Sequence, residues 1–201
     1  MKISYSQLAQ FIPILRTPGL KTLLHVGCGT APPSRLPDCF KTGNWKEIRL
    51  DIDPKAKPDI IASVTDMAAV GTSTVEAVWS SHNIEHLEGH QVSTALLEIR
   101  RVLKPGGFAL ITLPNLEDIA RLIACGKGEE VLYVSPAGPI TPLDMLYGHQ
   151  KSIQNGNLYM AHRTGFTVQR LSRLLIEAGF QDVRVTTGAN YDLWSIAVRK
   201  S

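Results

Sequence analysis

The sequence predicts an α/β protein built on a doubly wound open sheet, and three observations carry that expectation. Short apolar runs alternate with amphipathic helical stretches as far as Pro114, the pattern of strands joined by helical crossovers. The first run, Leu23-Leu24-His25-Val26, leads into Gly27-Cys28-Gly29-Thr30, where glycines let the backbone approach a ligand closely. A second run, Arg49-Leu50, then leads into Asp51-Ile52-Asp53, which sets an acid where such sheets read the hydroxyls of a ribose.

The elements follow in order. Apolar Leu8, Phe11, Ile12 and Leu15 predict a helix over 4–16, ended by Pro18-Gly19. Thr22–Val26 reads as the first strand. The stretch 31–45 holds three prolines and a glycine, so the helix expected after the glycine turn must be short or irregular. Strands are expected at Glu47–Asp51, Asp59–Ser63 and Val75–Ser80. Ala95, Leu96, Ile99, Val102 and Leu103 repeat at helical spacing over 91–103. Lys104-Pro105-Gly106-Gly107 is expected to stop that helix and turn the chain into a fifth strand, Phe108–Leu113. A helix through Ala124 opens a stretch, 115–163, rich in Gly, Pro, Tyr and His. A helix at Thr167–Ala178 and strands at Gln181–Thr186 and Asp192–Arg199 complete a seven-stranded sheet. The 115–163 segment is too long for a connector, and at the carboxyl ends of the strands it would lie over the ligand crevice. The expected organisation is a single domain, 1–201, with 115–163 as a substrate-side insertion.

Composition narrows the function. The 201 residues are 44% hydrophobic and 19% charged, with a net charge of +3, which suits one globular domain. That charge is too small, and the basic residues too scattered, to point to nucleic acid. No run of about 18 apolar residues and no signal-like N-terminus is present, so no membrane partner is expected. Cys28, Cys39 and Cys125 are odd in number and far apart, which fits free thiols and a cytoplasmic location.

Further segments join the glycine turn and Asp51: Ser63-Val64-Thr65-Asp66-Met67, Trp79-Ser80-Ser81-His82-Asn83-Ile84-Glu85-His86-Leu87, and Arg101-Val102-Leu103-Lys104-Pro105-Gly106-Gly107. In this order and spacing the chain resembles the class I S-adenosylmethionine-dependent methyltransferases, and within them the methyltransferase type 11 group. The resemblance covers about 20–115, with a looser match at 165–199, and implies a mostly parallel, Rossmann-like methyltransferase fold with a lid after the fifth strand. It implies S-adenosyl-L-methionine as cofactor. Gly27 and Gly29, with the small Cys28 between them, would underlie its methionine part. Asp51 would take the ribose hydroxyls, and Ile52 would lie against the adenine. Asp66 would accept from the adenine amino group with the Met67 backbone nearby, and Ser81 and His82 would border the methyl group. Asp66 also suits the N-cap of a turn. His25 stands where the family carries an acid that orients the methionine ammonium, and Ala31 stands where a third glycine is expected. A neutral imidazole accepts a hydrogen bond from that ammonium whereas a charged one repels it, so cofactor affinity is expected to fall at low pH.

The activity implied is methyl transfer to an acceptor that the sequence does not identify. Composition favours a small molecule. His82 and His162 are the candidate bases, because imidazole titrates near neutrality. Tyr147, His149, Tyr159 and Arg163 are the candidate substrate contacts. His82-Asn83-Ile84-Glu85-His86 also spells H-x-x-E-H, a zinc-peptidase signature, but it follows an apolar strand instead of sitting inside a long helix. No metal is therefore expected, and Glu85 and His86 read as loop braces. Two other readings stay open. A nicotinamide-dependent oxidoreductase shares the glycine turn and ribose acid, but Ala31-Pro32-Pro33 makes a poor helix N-terminus for a pyrophosphate. A non-catalytic cofactor-binding module is kept alive by His25.

Overall fold

The computed structural model describes residues 10–13 and 19–200. The helix expected over 4–16 lies outside the described residues apart from 10–13, which form a turn. Strand β1 is Lys21–Val26 and β2 is Trp45–Asp51. Between them the chain makes only two single 3-10 turns, Pro33–Arg35 and Asp38–Phe40, as its prolines require. Strand β3 is reduced to Ile60–Ile61, and β4 spans Val75–Ser81. Helix α1 is Val92–Val102 and runs directly into β5, Leu103–Pro114. Helix α2, Leu116–Ala124, opens the insertion. The insertion continues with the hairpin β6 (Tyr133–Ser135) and β7 (Gly138–Ile140), then α3 (Pro142–Tyr147) and α4 (Gln150–Gln154). Helix α5 is Val168–Glu177, followed by β8 (Gln181–Thr187) and β9 (Asp192–Val198).

Seven strands form one sheet in the order β3-β2-β1-β4-β5-β9-β8. All run parallel except β9, which is antiparallel to both neighbours. The two faces are covered differently. On one, α1 and α5 bury Leu96, Ile99, Leu171 and Leu175 against Val26, Val78 and Ile111. On the other, where the first crossover has no helix, aromatics fill the gap. Phe40 meets Trp45 edge-on and stacks on Phe108, and Trp79 stacks on Trp194. Among the described residues no helix is long and apolar enough to cross a membrane.

The Lys-Pro-Gly-Gly segment differs from its expected role. It does not separate helix from strand: α1 already ends at Val102, and Lys104–Gly107 bulge out within β5, opposite the single residue Glu76 of β4. Gly106 takes φ +81°, and a Cβ on Gly107 would stand 2.8 Å from the Glu76 carbonyl oxygen, so glycine is needed at both positions. The Glu76 side chain ties three strands at this point, accepting from the Thr22 backbone N–H of β1 at 2.8 Å and from the Lys104 ammonium of β5. The open carbonyls at the end of α1 are closed by Arg199, the residue after β9, whose guanidinium donates to the carbonyls of Arg100, Arg101 and Leu103.

Burial alone would raise the Glu76 pKa, but Lys104 and the Thr22 N–H outweigh it and hold the carboxyl below its ordinary 4.5. Glu76→Gln should cost about 1–3 kcal/mol in urea unfolding at pH 7, because the ammonium and the N–H lose a charged acceptor. A depressed carboxylate stabilises above its unfolded pKa, and that contribution is lost as pH falls through the lower folded value. The wild-type and variant unfolding midpoints should therefore converge below pH 4.5 and stay separated at pH 7.

Candidate active site

The crevice forms where β1 and β4 end. Gly27 turns the chain at φ +62°, and a Cβ there would lie 2.3 Å from the Asn83 carboxamide carbon, so the loop after β4 packs directly on the turn. Gly29, at φ +51°, has open space where a Cβ would point, a cradle with room for a ligand. Cys28 donates its N–H to the Leu50 carbonyl, and burial pushes its thiol up to about 11. It is a packing residue rather than a nucleophile.

Strand β2 holds the turn in place. Asp51 Oδ2 accepts from the Gly29 N–H at 2.7 Å and Oδ1 from the Asp53 N–H at 2.8 Å. Each carboxylate oxygen keeps a free lone pair, which is what two neighbouring hydroxyls require. Arg49 donates to the carbonyls of Gly29 (2.7 Å) and Ala31 (2.6 Å). Ile52, next in the chain, is 48% exposed, an apolar face beside the acid. Asp66 is exposed and accepts from the Ala68 N–H at 3.2 Å. It caps a turn while keeping its second oxygen open to solvent.

Met67 requires a correction. Its side chain is 0% exposed, its N–H goes to Glu98 at 2.8 Å, and its carbonyl accepts from Arg101 at 2.9 Å. With side chain and backbone both engaged by the core and α1, it is a structural residue and has no group left for a ligand.

His25 is buried on β1, and its Nδ1 lies 2.7 Å from Glu47 Oε1 of β2. Burial, assisted by the Arg49 charge and opposed by Glu47 and Asp51, sets the imidazole below its ordinary 6.5. The ring is thus neutral at neutral pH, with Nδ1–H donating to Glu47 and Nε2 left as an acceptor. Glu47 escaped the sequence reading because it reaches His25 only through strand pairing.

The second half of the site lies beyond the ends of β4 and β5. Ser81 closes β4. His82, at φ +47°, is half-exposed, with Nδ1 3.3 Å from Oε1 of Glu85, a buried residue in the single 3-10 turn Ile84–His86. Burial works against both charges, yet each outweighs it for the other, raising the His82 pKa and lowering that of Glu85. The insertion folds back here. Its α2 and α3 share a small core of Ile119, Ile140 and Met145, and the Arg163 and Thr164 N–H groups bond to the Glu85 carbonyl. A cavity of about 230 Å³ remains between insertion and strand ends, with Glu85, Met145, Tyr147, His162, Arg163 and Phe166 in its wall.

Of the expected acceptor residues, Tyr147, His162 and Arg163 line this cavity, Arg163 while paired with Glu88 at 2.9 Å. His149 and Tyr159 do not, which corrects that expectation. His149 is buried within the insertion with Nδ1 2.7 Å from Ser152 Oγ, and Tyr159 projects from the 3-10 turn Leu158–Met160 as an exposed side chain.

Solved structures share the fold at low identity. A SAM-dependent methyltransferase from Methanosarcina mazei superposes with a TM-score of 0.61 at 15% identity, covering 100% of this chain and 99% of that one. One from Archaeoglobus fulgidus gives 0.58 at 15% identity, covering 96% and 91%. The Burkholderia thailandensis 1,6-didemethyltoxoflavin-N1-methyltransferase, with bound 1,6-didemethyltoxoflavin and S-adenosylhomocysteine, gives 0.56 at 15%, covering 91% and 72%. No curated protein matches the chain in sequence. Residues 24–111 match the family described as Methyltransferase domain. Residues 24–111 thus carry a methyltransferase domain, on a fold shared with S-adenosylmethionine-dependent methyltransferases.

The crevice of this methyltransferase fits its cofactor. The open cradle at Gly29 suits the methionine part, the free lone pairs of Asp51 suit the ribose, and Ile52 offers an apolar face. The depressed pKa of His25 moves the expected acid sensitivity downward. Affinity for S-adenosylhomocysteine should be flat above pH 6.5 and fall only below it, as the imidazole takes up a proton and repels the ligand ammonium. Calorimetry from pH 5 to 8 checks this, and a decline that begins above 6.5 would contradict it.

Proposed function

We propose that this methyltransferase acts on a compact small molecule held in the cavity beneath the insertion. The observation that carries the reading is the position of that cavity. It lies at the carboxyl end of β5, where Pro114 lines it, against Glu85 of the loop after β4, and is walled by the insertion. Its volume of about 230 Å³ is below the roughly 300–1,000 Å³ typical of drug-sized ligands. Apolar Met145 and Phe166 hold a flat or aliphatic body, while Tyr147, His162 and Arg163 offer polar contacts. The small net charge gives no support to a nucleic-acid acceptor. Cys28, buried, and Cys125, exposed, carry thiols outside any disulfide, which supports a reducing, cytoplasmic setting.

The cofactor brings a methyl group already activated on a sulfonium. The protein's part is to hold the acceptor in line with it and exclude water, and alignment of this kind contributes roughly 7–11 kcal/mol. Asp51 and the glycine turn fix one partner, and the cavity fixes the other. His162 meets the acceptor with its ring set by Nδ1, 2.8 Å from the Met145 carbonyl.

Calorimetry with S-adenosylhomocysteine, with NAD as control, tests the cofactor. Micromolar binding of the former, none of the latter, and loss of at least tenfold in Asp51→Ala are expected. NAD binding in place of S-adenosylhomocysteine would return the oxidoreductase reading. Binding without transfer to any acceptor in a broad screen would favour the non-catalytic module. His162→Ala should lower turnover at least tenfold while changing S-adenosylhomocysteine affinity less than twofold. Equal losses in both would remove His162 from the acceptor site.

A further inference from the structure

At the wall of the acceptor cavity, two imidazoles and a carboxylate converge. Glu85, His86 and His162 each offer a ligand atom, and the three atoms lie within 4.8 Å of one another. The hydrogen bonds around them define their state. His86 Nδ1 is 3.1 Å from the Ala161 carbonyl oxygen, and His162 Nδ1 is 2.8 Å from that of Met145. A carbonyl only accepts, so each Nδ1 carries the proton and each Nε2 presents a lone pair. Glu85 is 1% exposed, and neither of its carboxylate oxygens has a hydrogen-bond partner. His82 Nδ1 stands near Oε1 but outside hydrogen-bonding alignment. Three acceptors thus face one another in a mostly buried place, and apart from the His82 ion pair at Oε1 no donor meets the Glu85 carboxylate, an arrangement costly to leave unfilled.

We propose that Glu85, His86 and His162 bind a divalent transition-metal ion, best matched by zinc(II). Two imidazole nitrogens and one carboxylate suit zinc and its neighbours, whereas magnesium and calcium take sets built on oxygen. Both imidazoles already have the outer partner that orients a metal-bound histidine, an Nδ1–H donated to a main-chain carbonyl. The buried carboxylate supplies the negative charge, and modest inward movement brings the three atoms to ligand separations. Three protein ligands leave a fourth position open, and two of the three, Glu85 and His162, line the cavity. An acceptor hydroxyl bound there loses its proton to water more readily. This use of the ion rests on the methyl-transfer reading. The binding of the ion does not. The H-x-x-E-H segment supplies two ligands from one turn, and the insertion brings the third.

The test uses the full chain, stripped with a chelator and dialysed, then titrated with zinc chloride by calorimetry and with cobalt(II) by visible absorption. One zinc per chain with micromolar or tighter affinity is expected, with cobalt bands of a low-coordinate nitrogen and oxygen site. His162→Ala and Glu85→Gln should each weaken zinc binding at least tenfold, and His90→Ala, an exposed histidine outside the cluster, should leave it unchanged. Circular dichroism confirms folding. If Glu85→Gln fails to fold, His162→Ala, on the insertion, carries the comparison. Millimolar or substoichiometric binding, or binding indifferent to both variants, would overturn the proposal. S-adenosylhomocysteine affinity is measured in the same samples. Zinc binding without it would leave the site standing and remove the methyl-transfer reading, and the reverse result would do the opposite.

Discussion

The glycine turn has no helix behind it, and the crevice depends on what β2 supplies instead. In most doubly wound sheets the turn after the first strand opens a helix whose N–H groups and packing fix its shape. Pro32, Pro33 and Pro37 leave only two 3-10 turns here. The Gly29 N–H and the Gly29 and Ala31 carbonyls would otherwise face solvent, and Asp51 and Arg49 bind them. Both side chains reach the turn because His25 pairs with Arg49 and Val26 with Leu50. A slip of one residue would turn every β2 side chain to the opposite face. The ligand site is therefore only as well defined as the β1–β2 register.

That register also explains the electrostatics. Glu47, Arg49 and Asp51 are two residues apart on one strand and so share a face, while Ile48 and Leu50 pack into the main core on the other. The three charges have separate tasks. Glu47 bonds the buried imidazole of His25, Arg49 holds two carbonyls, and Asp51 braces the turn with one lone pair on each oxygen while leaving another on each. On β1, His25 stands where the resemblance leads one to expect an acid, and its own acid, Glu47, sits on the adjacent strand.

The parts of the fold visible in the sequence were those set by local pattern. The strands at β1, β2, β4, β8 and β9 and the helices α1 and α5 follow from apolar periodicity. The missing crossover helix follows from its prolines. The bulge in β5 was hidden because Pro-Gly-Gly marks a turn equally well outside a strand or within one, and only the Glu76 contact distinguishes them. That Asp51 stands beside the glycine turn follows from spacing. The structural role of Met67 does not, because its backbone is claimed by Glu98 and Arg101 of a helix much later in the chain. His149 and Tyr159 looked like site residues because aromatic and polar groups crowd that segment. Which of them face the cavity is decided by how the insertion folds on itself, and no local pattern records that.

The family match ends at Ile111, before the insertion begins, and chemistry divides along the same line. The matched part holds the turn, Asp51 and the end of β4, the groups that fit a cofactor common to many enzymes. The insertion does more than cover them. Its Met145 and Ala161 carbonyls orient the rings of His162 and His86, its Arg163 and Thr164 N–H groups bind the Glu85 main chain, and its own core keeps those atoms in place. His86 and Glu85 belong to the matched segment, but their orientation and surroundings come from outside it. On the proposed reading, acceptor chemistry is thus a joint product of a general loop and a particular insertion, and exchanging the insertion would change what that loop can hold.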